Sequence, residues 1–174
     1  MSKRQEADAP LLRPLRPEDE AALLELVRAE AEAGRLAGGG ELTAADVQNF
    51  ILAALLTAGD DYRAVCGPEG ELAGLIGLRE LSPERAEFCI ALRPAYRGQG
   101  LARPAAEQLL REAFSGADGP RRVYMFTRPD NQAANGFNRA LGFRRQEPEA
   151  DAAPGTAGLN WYGISREEFL RRDN

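Results

Sequence analysis

Leu92-Arg93-Pro94-Ala95-Tyr96-Arg97-Gly98-Gln99-Gly100-Leu101-Ala102 is the stretch on which the reading of this chain turns. An apolar run, residues 88–92, enters it. A helical pattern leaves it, with Leu101, Ala105, Leu109 and Ala113 at helical spacing. Strand, glycine-bearing loop and helix together make an anion site: the loop turns N–H groups inward, and the helix adds a free N-terminus and its dipole. Gly98 and Gly100 let the backbone approach a pyrophosphate with no Cβ in the way. The stretch therefore predicts a ligand that carries a diphosphate. Pro104 falls in the first helical turn, where a missing N–H costs least, though it removes one donor from the cradle.

Upstream, residues 11–15 read as a first strand. Arg16-Pro17-Glu18-Asp19 opens a helix with Leu23, Leu24 and Val27 as its buried stripe. Gly34 and Gly38-Gly39-Gly40 break the chain. A second helix starts at Thr43, with Asp46 placed for a capping box and Val47, Phe50, Ile51, Ala54 and Leu55 following at helical spacing. Residues 62–66, the turn Gly67-Pro68-Glu69-Gly70 and residues 72–78 read as a hairpin, with Gly74 and Gly77 marking bulges or close backbone approach. Residues 86–92 are the next strand.

Downstream, residues 122–127 are a strand covered on both faces. Residues 131–141 form a short helix with Ala134, Phe137 and Leu141 on one side, and Gly142 ends it. Residues 143–146 start a strand, 160–164 are the last strand, and 167–171 a terminal helical turn. Residues 147–159, rich in Pro, Ala, Gly and acids, read as a mobile loop. The acids Glu147, Glu149 and Asp151 there favour a cation or form a solvated cluster. Residues 1–10 are a flexible N-terminus, and 11–174 a single domain.

At 174 residues, 44% hydrophobic and 28% charged, the chain is long enough for one real core. Its net charge of −5 argues against nucleic-acid binding. The two cysteines, Cys66 and Cys89, form no metal spacing and read as buried thiols. There is no histidine. That removes Ser-His-Asp and Cys-His nucleophile pairs and the usual zinc sites, so no metal is expected. No apolar run approaches ~18 residues, so a cytoplasmic protein with no membrane partner is expected.

This order of elements resembles the GNAT superfamily of acyl-CoA-dependent N-acetyltransferases. Arg97-Gly98-Gln99-Gly100-Leu101-Ala102 fits the family's Q/R-x-x-G-x-G/A loop. Asn131-Gln132-Ala133-Ala134 leading to Leu141-Gly142-Phe143 resembles its later helix and Gly-Phe exit. The ending, Asn160-Trp161-Tyr162-Gly163-Ile164, is similar to the RimJ/RimL branch, which acetylates protein N-termini. The resemblance implies an α/β (α+β) fold: a central mixed, mostly antiparallel sheet flanked by helices. It implies acetyl-CoA as co-substrate, a primary amine as acceptor (protein N-terminus or small molecule), direct attack without an acyl-enzyme, and allows a homodimer.

The family's roles carry over as follows. Backbone groups at Ile90, Ala91 and Leu92 would bind the pantetheine arm. Arg97, Gly98, Gln99, Gly100, Leu101 and Ala102 would hold the pyrophosphate. Asn131 would meet the arm or cap its helix. Asn138 stands where many members place a tyrosine that protonates the leaving thiolate, and asparagine cannot give up a proton near neutral pH. Either a thiol of pKa near ~8.5 leaves without an acid, or Tyr96, Tyr124 or Tyr162 supplies the proton, Tyr162 being the best placed; each of the three also reads as a buried structural tyrosine. The candidate bases are Glu87, at a strand start where several family members keep a catalytic glutamate but also readable as a surface carboxylate, and after it Glu80, which reads rather as a solvated surface charge. Two rivals stand beside this reading. One is a non-catalytic acyl-CoA sensor on the same fold. The other is a nucleotide-binding enzyme, although the loop lacks the Lys-Ser/Thr ending and the third glycine that such sites use.

Overall fold

A computed structural model describes residues 11–34, 43–56 and 59–172. The expected frayed start and the Gly38-Gly39-Gly40 break lie outside the described residues. Seven strands form one sheet in the order β1-β2-β3-β4-β5-β7-β6. They are β1 (Leu12–Pro14), β2 (Asp61–Cys66), β3 (Leu72–Arg79), β4 (Arg85–Leu92), β5 (Arg122–Thr127), β6 (Arg144–Gln146) and β7 (Asn160–Ser165). Every pairing is antiparallel except β4 with β5. The mixed, mostly antiparallel sheet is as expected.

Two apolar clusters cover its two faces. On one lie α1 (Glu20–Glu32) and α2 (Ala44–Leu56), with Leu23, Leu26, Val47 and Ile51 packed on Ala64 and Leu72. On the other lies α3 (Ala102–Ser115), whose Ala105, Ala106, Leu109, Leu110 and Phe114 are buried against Ile76, Phe88 and Val123. Each leucine buried this way contributes about 1.5–3 kcal/mol. α4 (Gln132–Ala140) and α5 (Arg166–Arg172) complete the layer.

Most elements fall where periodicity put them. One phase differs. A 3-10 turn at Pro17–Asp19 precedes α1, which starts at Glu20. The buried stripe is therefore Leu23 and Leu26, while Leu24 and Val27 are half-buried. The capping box of α2 forms as read: Thr43 Oγ1 accepts from Asp46 N at 3.3 Å, and Asp46 Oδ2 accepts from Thr43 N at 2.8 Å. Gly74 and Gly77 are both sites of close approach. A Cβ on Gly74 would stand 2.5 Å from Ala91 O, and one on Gly77 2.6 Å from the Tyr62 ring. The bulge itself is at Ala73, next to Gly74: Val65 pairs with Gly74 and Cys66 with Leu72.

Candidate active site

β4 and β5 pair only over Arg85–Glu87 and Arg122–Tyr124. Beyond that row they diverge, while β4 stays paired with β3 as far as Leu92. The sheet thus opens a wedge-shaped gap between the far ends of β4 and β5. Arg93 N donates to Ala73 O at 2.9 Å. Antiparallel pairs alternate, so Ala91 turns its backbone groups to β3, and Ile90 and Leu92 turn theirs into the gap. Of the three residues expected to hold the arm, Ile90 and Leu92 face the gap, the C=O of Leu92 being taken up by Arg97 Nε at 3.0 Å; the N–H and C=O of Ala91 are committed to the ladder.

The glycine loop closes over the mouth of this gap. A 3-10 turn at Pro94–Tyr96 leads in, and Gly98 and Gly100 take φ of +71° and +76°. A Cβ on either would meet nothing within 4 Å, so the space beside both is open. The N–H groups of residues 98–103 make no backbone hydrogen bond among the described residues; the first helical bond runs from Ala105 N to Leu101 O. They form a cluster of donors at the start of α3. Gln99 supports the loop from behind, its amide donating to Ala95 O at 2.7 Å. Tyr96 anchors it, donating its hydroxyl to Glu71 at 2.8 Å. Arg97 reaches back to Leu92 O at 3.0 Å and to Glu30 of α1 at 2.9 Å. Without ligand its guanidinium is therefore engaged by the protein.

The face that carries Glu87 holds most of the ionisable groups. Glu87 forms an ion pair with Arg79, its neighbour across β3 and β4. Burial, the largest single influence, opposes the charge on Arg79, but the Glu87 hydrogen bond and charge, with Cys89 and Tyr62, together outweigh it and raise its pKa. Tyr124 lies beside Glu87 in the last paired row and donates to Glu80 at 3.4 Å. Burial, then the charges of Glu87 and Glu80, push the Tyr124 phenol up to about 12. Burial likewise pushes the Cys89 thiol up to about 11. It stays protonated at neutral pH and is a poor nucleophile. Glu80 has φ of +51°, rare for a residue with a side chain. Its N–H is held by Asp60 at 2.9 Å. Glu80, Glu87 and Tyr124 thus meet at the closed end of the gap.

Tyr162 does not join them. It is 1% exposed, belongs to the α3-side core, and donates its hydroxyl to Asn135 Oδ1 at 2.6 Å. This corrects its expected place as a proton donor: its proton is committed to a neutral amide on the opposite face from Glu87. Asn131 caps α4, accepting from Ala134 N at 3.1 Å. Asn138 is 3% exposed.

Loop 147–159, expected to be mobile, is joined to β4 and β5 through Glu149 and Asp151. Glu149 pairs with Arg122 at 2.6 Å and with Arg85 at 3.1 Å, and Asp151 with Arg85 at 2.7 Å. Those two acids are therefore neutralised from within. Arg85 in turn lies over the Tyr124 ring, 5.6 Å from its centroid. Sequence reasoning missed Arg79, Arg85, Arg122 and Asn135. Arg79 was within reach, because a hairpin turning at Ser82-Pro83-Glu84 sets it opposite Glu87. The indole N–H of buried Trp161 and Nε of Arg79 lack hydrogen-bond partners. Trp161 stacks on Tyr124. Among the described residues, no cluster of acids and cysteines could hold a metal, and no helix is long and apolar enough to cross a membrane.

A family model described as an acetyltransferase (GNAT) domain matches residues 11–144. The N-alpha-acetyltransferase RimI of Mycobacterium tuberculosis is 33% identical over 127 residues, 61% of this chain and 77% of that protein. The spermidine N(1)-acetyltransferase of Escherichia coli is 36% identical over 85 residues, 48% of this chain and 45% of that protein. The match thus spans less than half of the spermidine enzyme. Among solved structures, spermidine N-acetyltransferase from Vibrio cholerae in complex with CoA and spermine superposes with a TM-score of 0.78 at 18% identity, covering 91% of this chain and 96% of that one.

Proposed function

The chain belongs to the GNAT acetyltransferase family, and from that premise we propose how its residues divide the work and which amine they accept. It is an N-acetyltransferase that moves an acetyl group from acetyl-CoA to an amine. The observation that carries the assignment of parts is the gap between β4 and β5 with the donor cluster of residues 98–103 at its mouth. In the proposed arrangement those N–H groups take the pyrophosphate. Arg97 exchanges Glu30 for phosphate. The pantetheine arm pairs with the edge at Ile90 and Leu92, and an N–H of that edge polarises the thioester carbonyl. Asn131 and Asn138 of α4 flank the arm.

The acetyl group then reaches the closed end of the gap, where Glu80, Glu87 and Tyr124 stand. Glu80 is the proposed base, directly or through one water, because Glu87 is already paired with Arg79. Glu87 holds Arg79 and completes the charge balance. Attack is direct, since Cys89 remains a thiol.

For the acceptor we propose the free α-amine of a peptide or protein. Apart from Glu80, the carboxylates named around the site are matched by arginines: Glu87 by Arg79, Glu149 by Arg122 and Arg85, Asp151 by Arg85, Glu25 by Arg93, Glu30 by Arg97. Such a surface suits one ammonium better than a polycation. RimI, the better-covered of the two relatives, is an N-alpha-acetyltransferase by name. The free cysteines fit a cytoplasmic setting.

The test is CoA release with a short peptide bearing a free N-terminus, the same peptide blocked there, and spermidine. The free peptide should turn over with the highest kcat/KM, and Glu80→Gln should lower kcat by about 10²–10⁴ while acetyl-CoA still binds. Faster turnover of spermidine would overturn the acceptor, and unchanged kcat in Glu80→Gln the base.

A further inference from the structure

A cavity of about 390 Å³ opens between α4 and the β6–β7 hairpin. Gln132, Asn135 and Arg139 of α4 line it, with Arg145 of β6 and Asn160 and Tyr162 of β7. Sheet order puts β5 between β4 and β7, so the cavity lies on the far side of β5 from the gap.

Its floor is rigid and polar. Asn135 and Tyr162 are 5% and 1% exposed. The Asn135 oxygen accepts from the Tyr162 hydroxyl at 2.6 Å and from Asn160 Nδ2 at 2.9 Å. The Asn135 amide donates to Arg128 O at 2.9 Å and Asn131 O at 2.7 Å. All four bonds of this amide are made, which fixes the floor against α4 and β7.

The walls carry charge of one sign. Arg145 is held over the Tyr162 ring, 5.6 Å from its centroid, which orients its guanidinium. Arg139 stands in the last turn of α4. Neither is paired with a carboxylate among the described residues, although adjacent Arg144 meets Glu168 and nearby Arg128 meets Asp130. No acid lines the cavity. Two unneutralised guanidiniums line one cavity in a chain whose acids outnumber its bases, 27 to 22.

We propose that this cavity is a second ligand site, which takes a small molecule through an oxyanion, phosphate or carboxylate, on Arg139 and Arg145. The planar fork of a guanidinium matches both groups, and the lack of any lining acid excludes a cation. The site is separate from the cofactor's, so its ligand binds with acetyl-CoA already in place.

The test is the unfolding midpoint titrated with inorganic phosphate and with succinate, against chloride at equal ionic strength. It is run on the wild type and on R139Q/R145Q, each with and without saturating acetyl-CoA. Both side chains are exposed, and the double variant should fold and bind acetyl-CoA normally. One or both anions should raise the wild-type midpoint in either condition, and the stronger names the preferred group. In the double variant the apparent affinity should weaken by at least about tenfold, the value of one lost charge-assisted hydrogen bond. Three results overturn the site: no rise, an equal rise in the double variant, or a rise that vanishes once acetyl-CoA is bound. The last would place the anion on the glycine loop. The titration without acetyl-CoA reads independently of the catalytic proposal, so the two can fail separately.

Discussion

Replacing Gly100 by alanine separates the stability of the glycine loop from its use. Gly100 has φ of +76°, and a Cβ there meets nothing within 4 Å. In the free protein the methyl group therefore clashes with nothing. The only cost is the left-handed backbone, about 1–2 kcal/mol for an L-residue. For a chain of this size that lowers the unfolding midpoint by about 2–8 °C. Bound cofactor meets a different situation. The open space beside Gly100 is where the proposed pyrophosphate sits, and its oxygens would face the methyl group. If alanine instead relaxes to negative φ, the neighbouring N–H groups swing away. Either route removes about two hydrogen bonds to a charged group, each worth about 1.5–3 kcal/mol. The dissociation constant for acetyl-CoA should then rise by about 10²–10⁴.

Calorimetric titration gives the affinity, and thermal unfolding without ligand gives the stability. Gly155→Ala is the control, since Gly155 also has open space around it but no positive φ. It should change neither quantity. A Gly100→Ala variant that melts lower yet binds acetyl-CoA within about threefold of wild type would refute the cradle. The donor cluster would then be an ordinary helix start.

Asp19→Asn should cost about 3–5 kcal/mol in denaturant unfolding, because it strands Arg13 in a buried pair now closed at 2.7 and 2.8 Å. The same pair sets an acid limit. Burial pushes the Asp19 carboxyl up, but Arg13 and the Arg16 N–H outweigh it and hold it below its ordinary value. Its stabilisation is complete above the unfolded carboxylate pKa of about 4 and is lost as pH falls through the lower folded value. The variant's stability should be flatter over that range, and a curve parallel to wild type would exclude Asp19 as the cause. Glu149→Gln should loosen residues 147–159 by weakening their hold on Arg122 and Arg85, so limited proteolysis within the loop should quicken; an unchanged rate would mean that Asp151 alone suffices.

The glycine loop was legible because each of its signals is local: an apolar strand, positive-φ glycines, then helical spacing. The hairpins were legible for the same reason. Helix phase was less so, since it hangs on where the first turn ends; one 3-10 turn moved the α1 stripe from Val27 to Leu26. The arrangement around the site required distance in sequence. Arg85 and Glu149 stand 64 residues apart and Tyr162 and Asn135 stand 27 apart, and no periodicity connects them. Asn135 was the hardest to see. A lone asparagine on a short helix reads as a solvated residue, and only the tertiary fold shows its amide with every bond made. Of the two readings open to Tyr162, proton donor or buried structural tyrosine, only the partner of its hydroxyl could favour the second.

The protonation states at the closed end of the gap lead to a last expectation, about pH. Burial, with the Glu87 and Glu80 charges, pushes the Tyr124 phenol up to about 12. Burial foremost also pushes Tyr62 to about 12 and the Cys89 thiol to about 11. These groups therefore stay protonated through the range in which an amine becomes neutral. A raised pKa means the proton is lost only as pH climbs through that higher value, so none of the three can impose a falling limb below about 11. The leaving thiol, with a free pKa near ~8.5, departs as thiolate with little need of an acid. Asn138, at the position where the family resemblance implies a tyrosine, can donate a hydrogen bond without titrating. The kcat/KM for a peptide amine should accordingly rise as the α-amine deprotonates, near pH ~7.7–8.0, and then stay level to about pH 10. A bell with its falling limb near pH 8 to 9 would show that a titrating acid takes part. None of the tyrosines at the closed end meets that requirement, and the acid-free departure of the thiolate would have to be abandoned.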